Sequence, residues 1–193
     1  TRAIELVASL TGDPVPGSVT VRSAAAWQGR TSATAARPAA RMFSSGAWDS
    51  ARGRTVLFGG AGYSSDTWEW DGQDWMDVTP TGGAINPSDR SGHSVVYDSV
   101  RNRVVLFGGS VSYTVANDTW EWDGLRWETK TPAHRPPART QHCMAFDSGR
   151  GRVVLFGGYG DGMEKQDTWE WDGTDWEDRT PVSDLPARRK WCG

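Results

Sequence analysis

The stretch DTWEWDG occurs three times in this chain, at residues 66–72, 118–124 and 167–173, and a further tryptophan, Trp75, Trp127 or Trp176, follows each copy after two residues. Successive side chains of an extended strand point to opposite sides, so the Trp-Glu-Trp alternation puts two indoles on one face. Asp-Gly is a hairpin signal. A two-residue turn there or at the next pair sets the third tryptophan opposite one of the first two, so all three rings share a face. Each ring buries about 150–250 Å² on packing, roughly 4–6 kcal/mol gross at about 25 cal/mol per Å² before entropy is subtracted. The tryptophans therefore read as an interlayer core, with an exposed sugar- or peptide-stacking platform as the alternative reading.

The stretch VLFGG also recurs, at residues 56–60, 105–109 and 154–158, a constant step of 49 residues. Ahead of each copy stands a turn of one kind: WDSARGR from Trp48, YDSVRNR from Tyr97 and FDSGRGR from Phe146. Arg41, Arg90, Arg139 and Arg188 continue the same register. Self-similarity at this period marks a repeat architecture. Within a unit the residues read as four strands, named a to d. Strand a (residues 91–97 and 140–146) ends in Asp-Ser, whose side chains bond to the local backbone and favour a turn. Strand b is apolar on both faces, as a sandwiched strand must be. Strand c carries the Trp-Glu-Trp, and strand d the last tryptophan.

Composition bounds the rest. The chain has 193 residues, 23 % of them charged, a net charge of −3 and 23 glycines, which describes one soluble globular domain or a short repeat array. The small acidic excess and scattered basic residues give no nucleic-acid footprint, and the apolar runs fall far short of the roughly 20 residues of a membrane span. The first residue is Thr1, with no charged-then-apolar leader, which points to a processed form or a piece of a longer chain. An extracellular or cell-envelope location is the expectation.

An apolar strand, a Gly-Gly pair, then aromatic residues and a later tryptophan resemble the kelch repeat of β-propellers. Three near-identical copies cover residues 41–176. Trp stands where kelch repeats often have Tyr, and the hairpin before the last Trp is tighter. The resemblance implies an all-β fold: a kelch-type β-propeller of four-stranded antiparallel blades around a central channel, strand a innermost. It also implies a single domain over residues 1–193 with four repeats of about 49 residues. The first is degenerate: Trp27 takes the position of Trp75, residues 18–22 fit strand c and residues 4–7 fit strand b. At the other end residues 186–192 mirror residues 137–143, so the chain stops inside a strand a. Pairing of residues 4–7 with residues 190–192 would close a four-bladed ring; a dimeric eight-bladed ring and a fragment of a larger propeller are the rivals. Kelch propellers commonly have six or seven blades.

Strand alternation sorts the connections onto two faces. The a-to-b and c-to-d turns repeat almost unchanged on one side. The b-to-c segments (residues 10–17, 61–65, 110–117 and 159–166) and the d-to-a segments, such as residues 132–137, vary on the other, where function on a rigid scaffold tends to sit. Tyr63, Tyr113 and Tyr159 are the aromatic candidates for ligand contact there. Arg41, Arg90, Arg139 and Arg188 enter strand a from that face and would ring the channel mouth, where guanidinium groups suit carboxylate or phosphate. The competing reading pairs them with Asp66, Asp118 and Asp167 as blade fasteners. By the same logic Glu69, Glu121 and Glu170, facing away from the indoles, are assigned Arg54, Arg103 and Arg152 as partners, since buried carboxylates need them.

His93 and His142 hold equivalent places, where the other units have Ser44 and Trp191. Two histidines at a channel could bind a metal or act as a base, but no third ligand recurs beside them, so no metal and no cofactor is expected. No nucleophile elbow, His-Glu-x-x-His, phosphate loop or Cys-x-x-Cys is present. The kelch family includes a copper sugar oxidase and a sialic-acid mutarotase, whose catalytic residues do not map onto this sequence. The expected function is a non-catalytic binding or scaffold module for a protein, peptide, glycan or anionic ligand, acting as monomer or homodimer. A sugar-directed enzyme with its site at the channel mouth is the alternative. Cys143 and Cys192 occupy equivalent positions of two units, and two free thiols are expected.

Overall fold

The computed structural model describes residues 4–6, 21–23, 36–62 and 64–183. By its internal contacts the chain divides into two units, Thr1–Thr31 and Ser32–Gly193. In the first, β1 (Ile4–Leu6) and β2 (Val21–Ser23) form an antiparallel pair with Leu6 opposite Val21. That is the register of Thr55 with Trp70 in the second unit, moved back by one repeat. β1 falls within residues 4–7, where the sequence puts a strand b, whereas β2 shares only Val21 and Arg22 with residues 18–22, where it puts a strand c.

Among the described residues the second unit has three four-stranded antiparallel sheets. The first is β3 (Ser45–Asp49), β4 (Arg54–Phe58), β5 (Thr67–Trp70) and β6 (Trp75–Asp77). The second is β7 (Ser94–Asp98), β8 (Arg103–Val111), β9 (Thr114–Trp122) and β10 (Trp127–Lys130). The third is β11 (Cys143–Asp147), β12 (Arg152–Phe156), β15 (Thr168–Trp171) and β16 (Trp176–Asp178), with a small hairpin of β13 (Tyr159–Gly160) and β14 (Met163–Glu164) between its middle strands. In every sheet the order follows the chain, a to d. No helix occurs among the described residues, and none is long and apolar enough to cross a membrane.

The strand ends follow local chemistry. At each a-to-b turn an aspartate accepts two backbone N–H groups, as Asp98 Oδ1 does from Val100 and Arg101 at 3.0 Å. At each c-to-d turn another does the same, Asp123 Oδ1 taking Leu125 and Arg126 at 2.8 Å. Gly124 there has φ of 100°. A Cβ on it would lie 2.8 Å from the Arg52 guanidinium of the preceding sheet, so glycine serves both the turn and the close approach. Strand a begins three residues later than its sequence pattern, at Ser94 and Cys143. Gly92 and Gln141, like Phe43, take left-handed φ of 63°, 59° and 58°, which breaks the extended run.

Trp122 lies opposite Trp127 with ring centroids 5.5 Å apart, and Trp171 stands likewise to Trp176. These rings are the mortar between sheets. Val56 and Phe58 of the first sheet pack with Val104, Leu106, Trp120, Trp122 and Trp127 of the second. Val105 and Phe107 of the second pack in turn with Val153, Leu155, Trp171 and Trp176 of the third. The tryptophan faces of the second and third sheets therefore cover the opposite face of the preceding sheet, and two indole N–H groups of each find acceptors there. Trp122 Nε1 donates to Glu69 Oε1 at 3.2 Å and Trp127 Nε1 to Thr67 Oγ1 at 2.9 Å.

Two expectations are corrected. The buried glutamates do not use Arg54, Arg103 and Arg152. Glu69 pairs with Arg52, Glu121 with Lys130 at 3.0 Å, and Glu170 with Arg150 at 2.6 Å. Arg54 and Arg152 lie instead against the hairpin carboxylates Asp71 and Asp172. The turn places the arginine three residues after Asp49 or Asp147 beneath the sheet, where it reaches that aspartate and the glutamate together. The second correction concerns redox state: Cys143 is disulfide-bonded, and the only other cysteine of the chain, Cys192, lies outside the described residues. Equivalence of position does not keep side chains apart here, because inner strands of neighbouring blades converge. At the same register Ser45 Oγ accepts the N–H of Val95 from the next inner strand at 3.0 Å. Residues 190–192, expected to pair with residues 4–7, lie outside the described residues.

Candidate functional site

The Gly-Gly pair after strand b is where one blade receives the next. Gly108 has φ of 59°, and a Cβ on it would lie 2.7 Å from the Arg139 carbonyl, so only glycine lets the chain approach. The neighbouring Gly109 N–H donates to that same carbonyl at 2.9 Å, and Gly60 treats Arg90 identically. The arginine backbone is thereby fixed by the blade before it.

Its side chain is fixed by its own blade. Arg90 donates Nε to Ser88 O, Nη1 to Gly108 O and Asp118 Oδ1, and Nη2 to Ser88 Oγ and Asp118 Oδ2, with the two carboxylate contacts at 2.7 and 2.8 Å. Arg139 makes the corresponding fork to Asp167 at 2.6 Å, and Arg41 to Asp66 at 2.7 and 2.8 Å. Burial alone would raise the Asp118 carboxyl, but the hydrogen bonds and charge of Arg90, with Trp120 Nε1, hold it below the usual carboxylate range. Asp66 and Asp167 are lowered in the same way. The geometry of Arg41, Arg90 and Arg139 is that of blade fasteners, with the fork already occupied by protein. Arg188 lies outside the described residues.

The left-handed positions lie next to one another at the starts of the inner strands. Gly92 N–H donates to Phe43 O at 2.9 Å and Gln141 N–H to Gly92 O at 2.7 Å, which links successive inner strands in a chain of backbone bonds. A cavity of about 260 Å³ lies here, lined by Ser44, Ser45, His93, Ser94, Gln141 and His142 among others. The two imidazoles are buried and set edge-on against Phe58 and Phe107, with centroids 5.5 Å apart. Neither ring nitrogen of either histidine has a hydrogen-bond partner among the described residues; the Phe58 backbone adds a weak attraction to His93 that falls short of hydrogen-bond geometry. Burial, then the charge of Arg90 or Arg139, pushes both pKa values down to about 3. Both are neutral at physiological pH. No cluster of three or more metal-ligating side chains occurs among the described residues.

A second cavity, of about 250 Å³, opens between the first and second sheets on the variable face. Gly60, Ala61 and Gly62 form one side, Asp89, Arg90 and Ser91 the floor, and Ser110, Ser112 and Tyr113 the other side. The b-to-c segment of the second sheet is not a loop: β8 and β9 continue past the sheet as a two-stranded arm, with Val111 opposite Thr114. Ser112 and Tyr113 make its turn with φ of 44° and 70°, the positive values that a right-twisted two-residue hairpin turn requires. Tyr113 is 96 % exposed at the tip. The alternation Val111, Val115 could have disclosed the arm, but the loop signal of Ser-x-Ser-Tyr masked it. Tyr159 sits at the start of the smaller β13–β14 hairpin, bridged to Thr140, and is 38 % exposed. Tyr63 lies outside the described residues. Not every d-to-a segment stays on this face. His134 donates its backbone N–H to Asp175 Oδ1 at 2.8 Å, and so runs past the outer hairpin of the next sheet.

Residues 51–192 match the family model described as the KLHDC2/KLHL20/DRC7 Kelch-repeats domain. No curated protein matches the chain in sequence. Among solved structures it is similar to one titled "Structure of YjhT", with a TM-score of 0.59 and 15 % identity over 73 % of this chain. This chain spans 50 % of that structure's length, and the likeness is one of fold. Kelch-repeat domains are in general binding and scaffold modules. Three consecutive blades built alike, the Gly-Gly junctions between them and the family match over residues 51–192 together place this chain in the kelch-repeat family of β-propellers.

Proposed function

We propose that this chain is a non-catalytic binding module that captures a carbohydrate on its variable face, in the cavity between the first and second sheets. One observation carries the reading: Tyr113, 96 % exposed, is held by the β8–β9 arm at the rim of that cavity. A phenol ring there offers a stacking surface for the apolar face of a sugar. Asp89 and the hydroxyls of Ser91, Ser110 and Ser112 line the same space and can bond sugar hydroxyls. An anionic ligand fits this cavity less well, because Arg90 is neutralised by Asp118 while Asp89 adds a negative charge. The fastened arginines Arg41, Arg90 and Arg139 then act by holding the cavity walls, and Tyr159 marks a lesser contact at the next junction. An extracellular or cell-envelope location is part of the proposal, supported by the disulfide at Cys143.

The test is a glycan and peptide array, run with and without added metals, followed by titration of the best sugar. Tyr113→Ala should weaken it about tenfold, the loss of one aromatic contact of about 1.4 kcal/mol, with no change in Tm. Asp71→Asn in the opposite hairpin should leave affinity intact. A ligand that tracks Asp71, a peptide-only profile, or turnover of a sugar at the histidine-lined channel mouth would each overturn the reading.

A further inference from the structure

The corner that holds the cavity between the first and second sheets is built again one repeat later, and the two copies differ in one charge. In both, strand a is bridged to the segment after the Gly-Gly pair, Ser91 to Ser110 and Thr140 to Tyr159. In both, a fastened arginine comes just before that bridge. The residue ahead of the arginine is Asp89 in the second repeat, but Ala138 in the third and Ala40 in the first. At the later corner Gly160 lies so close to the Ala138 carbonyl that a Cβ on it would collide, so the small hairpin rests on the chain there. At the earlier one a cavity of about 250 Å³ remains, and Asp89 lines it.

Asp89 is half-buried, and its carboxylate has no hydrogen bond or ion pair among the described residues. The other acidic side chains of the second sheet are all engaged: Asp98 with Arg101, Asp118 with Arg90, Glu121 with Lys130, Glu128 with Arg126, and Asp123 with the N–H groups of its turn. The backbone around Asp89 is nonetheless fixed. The Arg90 carbonyl receives Gly60 N–H at 2.9 Å, and Ser91 exchanges backbone bonds with Ser110 at 3.1 and 2.8 Å. Arg90 itself is no partner for Asp89, because its fork is occupied by Asp118. A carboxylate partly withdrawn from water, without a counter-charge and set on a rigid frame, is a receptor for a cation.

We infer that the sugar taken by this cavity is an amino sugar, its protonated amine held by the Asp89 carboxylate and its ring set against Tyr113. The inference rests on the carbohydrate reading and narrows it to sugars with a free amine. A hydrogen bond between ammonium and carboxylate is about twice as strong as one between neutral groups. The phenol face of Tyr113 on the same rim also attracts a cation. Ser91, Ser110 and Ser112 are then left for the ring hydroxyls. An N-acetylated sugar loses the charge, and an acidic sugar is repelled. One carboxylate suits an ammonium better than a hard divalent metal, which takes about six or more oxygens, and no group of three or more metal-ligating side chains occurs among the described residues.

Isothermal titration calorimetry with short oligomers of glucosamine, N-acetylglucosamine and glucose, all linked alike, reads the preference. The glucosamine oligomer should bind about tenfold tighter than either of the others. Asp89→Asn should bring that ratio close to one. Asp71→Asn, which removes an equal charge from the opposite hairpin, should leave the ratio as it is. Thermal melting confirms folding, and Asp89→Ala, the residue at this place in the neighbouring repeats, replaces the amide variant if that fails to fold. Three oligomers bound alike, each weakened by Tyr113→Ala, overturn the inference and leave the carbohydrate reading standing. A preference that Asp71→Asn abolishes equally is an effect of net charge and also overturns it. An oligolysine bound as tightly as the amino sugar, with the same dependence on Asp89, overturns both.

Discussion

Trp70 and Trp75 in the first sheet carry the same sequence as Trp171 and Trp176 in the third, and both pairs hold their rings 5.5 Å apart. Yet Trp171 and Trp176 are 0 % and 1 % exposed while Trp70 and Trp75 are only half-buried. The difference lies in what stands in front of the rings. The third pair abuts Val105, Phe107, Thr119 and Glu121 of the second sheet. A repeat sequence fixes the chemistry of a face, but its energy belongs to the interface, as nearest-neighbour coupling in repeat proteins requires.

The largest effect that would break this comparison is the loss of one ring. Trp171→Ala should cost about 3–5 kcal/mol, the range for emptying a fully packed aromatic site. It also leaves Glu121, 4 % exposed, without its indole donor. Trp70→Ala should cost less than half of that in the monomer. Urea unfolding of the two variants at low protein concentration checks the ratio; equal losses would mean that the first sheet's rings are as tightly covered as the third's.

How much of this was legible in the sequence follows from what each signal measures. The blade and its strand order come from alternation and from Asp-Gly turns, which are local and readable; these leave Trp127 opposite either Trp120 or Trp122, and the register selects Trp122. The Arg-Asp forks were readable as one of two options, because an aspartate recurs at the head of every strand c. Partners of the buried glutamates were not readable because each has several cations at similar sequence separation, and only the turn geometry selects Arg52 for Glu69 and the outer strand Lys130 for Glu121. The disulfide at Cys143 runs against the expectation of free thiols because equal register does not separate side chains where neighbouring inner strands lie close together. The arm bearing Tyr113 needed two non-glycine residues at positive φ, which composition does not announce.

A smaller effect sharpens the comparison through pH. His93 and His142 are neutral in the folded chain, with pKa values pushed down to about 3, whereas an unfolded histidine titrates near 6.5. Between those values the unfolded state binds more protons, so stability is full above pH 6.5 and falls as pH drops toward 3. The slope is about 1 kcal/mol per pH unit for each histidine. Unfolding measured at intervals between pH 7.5 and 4.5 should show this loss beginning well above the carboxylate range. The double variant His93→Gln, His142→Gln should flatten it. A wild-type curve already flat down to pH 5 would mean that the imidazoles have partners which lift their pKa.

The smallest expected difference separates two arginines of identical design. Arg52 bridges Asp49 and Glu69, and Glu69 in turn receives Trp122 Nε1 from the second sheet, so the arginine neutralises a carboxylate shut inside an interface. Arg150 makes the same bridge to Asp147 and Glu170, but it is 56 % exposed, and Glu170 has Arg179 as a second cation at 3.6 Å. Removing a partner from a buried carboxylate leaves a desolvated charge, whereas an exposed pair is screened by water. Arg52→Ala should therefore cost about 1–3 kcal/mol, and Arg150→Ala within about 1 kcal/mol. Thermal melts in low and high salt read the contrast, because only the exposed pair should respond strongly to ionic strength. If Arg150→Ala proves as costly as Arg52→Ala at both salt concentrations, the glutamate of the third sheet is as dependent on its arginine as that of the first.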